Sequence, residues 1–349
     1  MNDHDALKAF GRQIQKLINR QNLTRAESYA MFRQLLDDEQ PDLQQGAFLA
    51  ALAAKGETPE EIAGAWQAIF ELDTIQTQAD LGTPLVENSG TGMDALKTFN
   101  VSSAAAVVAA AGGVRMARHG ARALTSTCGT VDLLEAVGID VECDVSTVEK
   151  SIRQVGIGIF NGMSPRIHPR SLARILAQIR FGSTLNIAAS LANPALPKMG
   201  LRGVYAKEMI LPVIKAMKAI GYRRALVLYG SIDVLDKGMD EASVCGTTYC
   251  AELSENGDIC EFTFRPEQYG LSCHDPADLS PANDIRHEAK RFVALIRGHS
   301  KGARTDATLL NAGLIFYLAA KAGDIRLGIE KAANALDSGL AYQTLEKWV

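Results

Sequence analysis

At 349 residues the chain is longer than one compact core, so two domains, or one domain with a helical appendage, are expected. A hydrophobic share of 47%, a charged share of 22% and a net charge of -4 exclude a disordered chain and give no long-range attraction for nucleic acid or an anionic membrane. The cysteines Cys128, Cys143, Cys245, Cys250, Cys260 and Cys273 form no C-x-x-C pair, and the N-terminus lacks the basic and apolar blocks of a signal peptide, which predicts free thiols and a cytoplasmic location.

To about residue 72 the sequence reads as four helices. Leu7, Phe10, Ile14, Leu17 and Ile18 recur at three- and four-residue spacing, as on one helix face. Thr24 with Glu27 fits a capping box, and Thr58-Pro59-Glu60-Glu61 adds proline at the first helical position, where its missing N–H is not needed. Gly56 is placed to end an apolar helix over 43–54.

Beyond residue 80 short apolar strands, glycine-rich loops and helices alternate. Strands are predicted over 85–87, 114–117, 157–160 and 225–229, and helices over 103–111, 130–137 and 146–155, the last with a capping box from Ser146 to Glu149. Continuously apolar strands predict a sheet covered on both faces and mostly parallel. The stretch 170–207 is helical in composition but broken by Gly182, Asn193-Pro194 and Pro197, and reads as a return to the helical part. A β-hairpin over 247–253 and 259–264 turns through Asn256-Gly257, and helices over 283–296, 306–320 and 325–336 close the chain. The expected fold class is α/β. A small all-helical domain, 1–78 joined by helices from about 170–207, sits beside a larger α/β domain, 79–169 and 208–349, with a mostly parallel central sheet.

Three loops carry the chemistry. Asn88-Ser89-Gly90-Thr91-Gly92-Met93-Asp94 follows a predicted strand, and Thr98-Phe99-Asn100-Val101-Ser102-Ser103 opens the next helix; backbone N–H groups and a helix N-terminus together suit phosphate. Arg118-His119-Gly120-Ala121-Arg122 follows the next strand and leads to Thr125-Ser126-Thr127-Cys128-Gly129-Thr130, at the strand ends where open α/β sheets bind ligands. In Gly238-Met239-Asp240-Glu241, read as a loop after the strand ending at Tyr229, adjacent carboxylates suit a hard divalent cation that also takes phosphate oxygens and water, and magnesium is the expected cofactor.

Gly90-Thr91-Gly92-Met93-Asp94, the Thr98 to Ser103 segment, Arg118-His119-Gly120, Ser126 with Gly129, Asp132-Leu133-Leu134-Glu135, His168-Pro169, Asn193-Pro194 and Asp240-Glu241 resemble the motif series of the anthranilate phosphoribosyltransferase family, in order and approximate spacing over most of the chain. That family is similar in fold plan to the pyrimidine nucleoside phosphorylases. The resemblance implies a homodimer that transfers 5-phosphoribose from phosphoribosyl pyrophosphate to the amine of anthranilate, or another small aromatic or heterocyclic acceptor, in tryptophan biosynthesis. It implies that Gly90, Thr91, Gly92, Asp94, Asn100, Ser102, Ser103, Arg118, Gly120 and Ser126 surround the donor. It further implies that Ser102, Asp240 and Glu241 hold magnesium and that His119, Ala121 and His168 border the acceptor; it assigns no nucleophilic side chain. The chain departs from the family pattern at Met93 for a glycine, Arg118 for a lysine and Ala121 for an asparagine. It also has Leu176-Ala177-Gln178 where an arginine for the acceptor carboxylate is expected, with Arg174 and Arg180 the nearest cations. Two other readings stay open: a non-catalytic relative that binds protein or nucleic acid, through a face such as Arg166, Arg170, Arg174 and Arg180, and a nucleoside phosphorylase.

Overall fold

The computed structural model describes residues 3–93, 96–122, 129–179 and 181–349. Helices α1 (Asp3–Ile18), α2 (Arg25–Leu36), α3 (Asp42–Lys55) and α4 (Pro59–Leu72) open the chain. Both predicted capping boxes form: Thr24 accepts from Glu27 N and Thr58 from Glu61 N, while each glutamate reaches back to the N-cap backbone. Glu61 does more. Its carboxylate, fully buried, also accepts from Leu23 N at 2.8 Å and from Lys55 Nζ at 2.9 Å, tying α4 to the end of α3 and to the turn before α2. Phe10, Ile14 and Leu17 are buried as expected, but Ile18 is 60% exposed, because neighbours on a helix lie about 100° apart and Leu17 already takes the inward direction.

The α/β part then runs β1 (Leu85–Ser89), α5 (Val101–Ala111), β2 (Arg115–Gly120), α6 (Thr130–Val137), α7 (Val145–Val155), β3 (Ile157–Asn161), α8 (Leu172–Gln178), α9 (Thr184–Leu191), β4 (Met199–Gly203) and α10 (Ile210–Ala219). It continues with β5 (Arg224–Ile232), β6 (Leu235–Met239), β7 (Thr248–Leu253), β8 (Ile259–Phe264), α11 (Ile285–Ile296), α12 (Ala303–Leu318), α13 (Ile325–Asp337) and α14 (Leu340–Trp348). Among the described residues the sheet order is β3-β2-β1-β4-β5-β7-β8, with β6 paired to β5. The strands β3 to β5 in that order are parallel, and β7, β8 and β6 add antiparallel pairs.

The α7 cap differs from its expectation. Asp144, not Ser146, accepts from Thr147 N, and Glu149 instead accepts from Gln78 N at 2.5 Å, holding the segment that leads into β1. An aspartate two residues earlier outcompetes a serine for the same orphan N–H groups. The strand β4, the hairpin return β6 and the last helix α14 were not anticipated: β4 is interrupted by Gly200 and Gly203, and β6 reads Leu-Asp-Lys-Gly-Met without a period-two pattern.

Two large apolar clusters flank the sheet. Alanine- and valine-rich α5 packs with α11 to α14 on one face, through Val107, Phe316 and Leu336 among others. On the other face Ala225, Val227 and Leu253 meet α10, and the same cluster continues through α9 into α2, α3 and α4. Trp66 Nε1 donates to Leu191 O at 2.9 Å, and Thr184 Oγ1 donates to the buried Glu57 at 2.8 Å, so α9 is fixed to the helical part at both ends. Cys143, Cys245, Cys250, Cys260 and Cys273 are free thiols. Among the described residues no helix is long and apolar enough to cross a membrane.

Candidate active site

A cleft of about 510 Å³ opens at the carboxyl ends of β1 and β2, between the sheet and the α8–α9 segment. Parallel strands end there, so the loops that follow them and the N-terminus of α5 converge on one place. The α5 start matters because its first N–H groups lack helical partners and carry the positive end of the helix dipole. Asn88 holds that start in place, donating from Nδ2 to Ser102 O at 2.8 Å.

Asp240 reaches the same place from far along the chain. Its Oδ2 accepts from Gly92 N at 2.7 Å and from Thr91 Oγ1 at 3.5 Å. A Cβ on Gly90 would lie 2.2 Å from Asp240 Cγ, and a Cβ on Gly203 would lie 1.5 Å from Asp240 O, so glycine at the ends of β1 and β4 is what admits this aspartate. Glu241 Oε1 accepts from Ser102 Oγ at 3.5 Å. Gly238 and Met239 are not in a loop as expected: β5 runs on to Ile232, and β6 folds back along it and delivers Asp240 over the sheet.

Arg118 is not a free cation at the cleft. Its guanidinium is 1% exposed, donates from Nε to Asn88 Oδ1 at 3.2 Å and from NH1 to Ser103 Oγ at 2.7 Å, and so braces β1 against α5. Burial pulls it down to about 10, opposed by Glu241 and then Glu87. Ser103 is therefore behind the wall rather than on it: it is 1% exposed and its hydroxyl is taken by Arg118. Arg122, by contrast, is held by Asp132, Glu135 and Glu142.

The two histidines form a buried pair. His168 Nδ1 lies 2.5 Å from Asp73 O, so it carries the proton, and its Nε2 accepts from His119 Nε2 at 3.1 Å. His119 Nδ1 lies 3.4 Å from Ser190 O. Burial first, and for His119 its neighbour second, drives them down to about 3 for His119 and about 4 for His168, so both rings are neutral. His119 is on the cleft wall; His168 is 1% exposed and stands behind it, away from the acceptor position expected of it.

Of the other expected residues, Gly90, Thr91, Gly92, Asn100, Ser102, Gly120 and Ala121 line the cleft with Asp240 and Glu241. Asp94 and Ser126 lie outside the described residues. Ser102, Asp240 and Glu241 make an all-oxygen set that fits a hard cation; among the described residues no three His, Cys, Asp or Glu side chains cluster, so such an ion would complete its shell with water or ligand oxygens. Of the expected basic face, Arg170 pairs with Asp37 and Arg174 with Asp38 and Asp42, Arg166 is exposed, and Arg180 lies outside the described residues.

The wall opposite the glycine loop was missed in the sequence. It comes from Leu176 on α8, Leu185 and Asn186 on α9, and Ile179 and Phe181 between them; Leu176, Ile179 and Leu185 also serve the core. The available signal was the break at Gly182, where a Cβ would lie 2.1 Å from Met93 Cε: the methionine of the glycine loop packs on this segment across the cleft. Under the wall Arg202 ties the halves, donating to Glu87 and Ser89 at 2.5 Å and to Ser190 Oγ at 3.0 Å.

Residues 82–342 match the glycosyl transferase family a/b domain, and residues 12–72 match the helical bundle domain of the same family. The chain is 36% identical over 339 residues to the anthranilate phosphoribosyltransferase of Anaeromyxobacter dehalogenans, covering 96% of each. It is similar to the crystal structure of anthranilate phosphoribosyltransferase from Thermus thermophilus, with TM-score 0.85 and 32% identity over 96% of this chain and 97% of that one. It shares its fold with the Saccharomyces cerevisiae enzyme solved in complex with PRPP and Mg, with TM-score 0.84 and 23% identity over 98% and 97% of the two chains. With a matching family model over most of its length, a relative 36% identical over 96% of both chains, and the glycine loop and the carboxylate pair brought to one cleft, the chain belongs to the anthranilate phosphoribosyltransferase family.

Proposed function

We propose that this cleft transfers 5-phosphoribose from phosphoribosyl pyrophosphate to the amino nitrogen of a small aromatic amine of the anthranilate class. The observation that carries the reading is the contact of Asp240 with Gly92 N, which puts a carboxylate pair against a phosphate-binding loop. The backbone of Gly90 and Thr91 and the Asn100 side chain present donors to the diphosphate, the Gly92 N–H remaining on Asp240, and the α5 N-terminus adds its dipole. Ser102, Asp240 and Glu241 would hold Mg2+, which when bound offsets the negative charge on the pyrophosphate. Preorganised donors of this kind act where charge develops on the leaving group, and an aromatic amine needs no covalent relay, so catalysis rests on position and electrostatics. The neutral His119 and Ala121 border the acceptor end. A homodimer is part of this reading, and Ile18 and Leu43, 60% and 89% exposed on the helical part, leave apolar surface for it.

Release of pyrophosphate from phosphoribosyl pyrophosphate, dependent on both Mg2+ and an aromatic amine, tests the proposal. A donor that neither binds nor raises the melting temperature would remove it.

A further inference from the structure

One strand supplies reference points for both walls of the cleft. Ser89, the last residue of β1 before Gly90, lies in register with Arg202 of β4. Successive side chains of a strand point to opposite faces, so Arg202 and Gly203 serve the two sides of the sheet. Gly203 leaves the space that Asp240 O occupies, and Arg202 reaches the other way, under α9.

The Arg202 guanidinium is fully buried and does not itself line the cleft. NH1 donates to Ser89 Oγ and, at 3.0 Å, to Ser190 Oγ; NH2 donates to Glu87 Oε1 and, at 3.3 Å, to Ser190 O. Ser89 and Ser190 both line the cleft, the first at the glycine loop and the second on α9. The Ser190 hydroxyl donates in turn to Asn186 O at 2.8 Å, so the fork grips a full turn of α9, and Ser190 O faces His119 Nδ1 at 3.4 Å. A planar fork with donors at fixed spacing holds Ser89 and Ser190 at one separation, which a single ammonium on a flexible stem does not. Stability alone does not account for this arginine, because a buried ion pair replaced by apolar groups of similar volume is often as stable or more so.

We propose that Arg202 is a positioning residue for the transfer: by fixing Ser89 to Ser190 it sets the gap between the donor loop and the α9 wall, and with it the approach of the acceptor nitrogen to the ribosyl carbon. The assignment rests on the transferase reading above. In that step the amine lone pair forms the N–C1 bond while the C1–O bond breaks, its electron pair leaving with pyrophosphate, and the proton lost from nitrogen goes to solvent. Reacting atoms must meet at about 3–3.5 Å, and a misplacement of about 1 Å costs on the order of a hundredfold in rate.

The test uses the full chain with phosphoribosyl pyrophosphate, Mg2+ and anthranilate. Donor affinity is read by calorimetry, kcat and KM by pyrophosphate release, and stability by urea unfolding. Arg202→Lys keeps the charge opposite Glu87 but not the fork, and Glu87→Gln/Arg202→Met removes both charges together. In both variants we expect kcat to fall about tenfold to a hundredfold while donor affinity stays within about threefold of the native chain. Ser190→Ala should lower kcat in the native background and add little in the Glu87→Gln/Arg202→Met background, since the groups act as one unit. An unchanged kcat in a folded variant overturns the assignment, as does a loss carried entirely by donor affinity or a Ser190→Ala loss that is the same in both backgrounds. Failure of both Arg202 variants to fold overturns it by making the residue structural. Donor binding by the native chain without transfer also overturns it. No donor binding by the native chain overturns the transferase reading itself.

Discussion

Gly92 N donates to Asp240 Oδ2 at 2.7 Å, joining residues 148 apart in the chain. The contact needs Gly90 beneath it, because a Cβ there would lie 2.2 Å from the Asp240 carboxyl carbon. In Gly90→Ala either the loop or the aspartate must move. Overpacking of this kind costs about 1–3 kcal/mol, so kcat/KM for phosphoribosyl pyrophosphate should fall about tenfold to a hundredfold in a pyrophosphate-release assay. An unchanged value would mean that the contact is not used.

Arg118 donates to both Asn88 and Ser103 from one planar group, a fork that lysine does not reproduce. Arg118→Lys should leave at least one buried partner unsatisfied and lower stability by about 1–3 kcal/mol in urea unfolding, with weaker donor binding as α5 loosens from β1. A lysine variant as stable as the native chain would show that the brace is dispensable.

The neutral histidine pair gives a pH signature. With folded values of about 3 for His119 and about 4 for His168 against 6.5 in an exposed histidine, the unfolded chain takes up protons that the native chain refuses. The pair's contribution is therefore fully present above about pH 6.5 and is lost progressively as pH falls toward the folded values. Urea stability measured between about pH 7 and pH 5 should fall less steeply in His168→Asn than in the native chain. Equal slopes would mean that the ring is protonated in the native state.

Glu61 holds the helical part together through Lys55, Leu23 and Thr58. Glu61→Ala leaves the buried Lys55 ammonium without its counter-ion, though still bonded to Asn22 and Gly56, and leaves two backbone N–H groups without their acceptor, and should cost about 3–5 kcal/mol in equilibrium unfolding, with Glu61→Gln losing less. A loss within about 1 kcal/mol would place the stability of this unit in its apolar packing alone.

How much of this was legible in the sequence follows from how local each signal is. The caps at Thr24 and Thr58 and the hairpin at Asn256-Gly257 are written within a few residues, and the structure has them where expected. The α7 cap went to Asp144 because Glu149 found partners some 70 residues earlier, which no window could show. The glycine loop was readable as a turn after a strand, but the reason for Gly90 lies in Asp240, and the reason for Gly203 lies there as well. His168 was expected beside the acceptor and stands one layer behind His119, since sequence spacing cannot tell a wall from its support. The apolar wall of α8 and α9 was hidden because its residues also read as core.

Calorimetric titration of phosphoribosyl pyrophosphate, with and without Mg2+, into the native chain and into Asp240→Asn/Glu241→Gln tests the central claim most directly. The converging loops require tight binding that depends on Mg2+ in the native chain and a loss of at least about a hundredfold in the double variant. Equal affinity in the two proteins, indifferent to Mg2+, would contradict it.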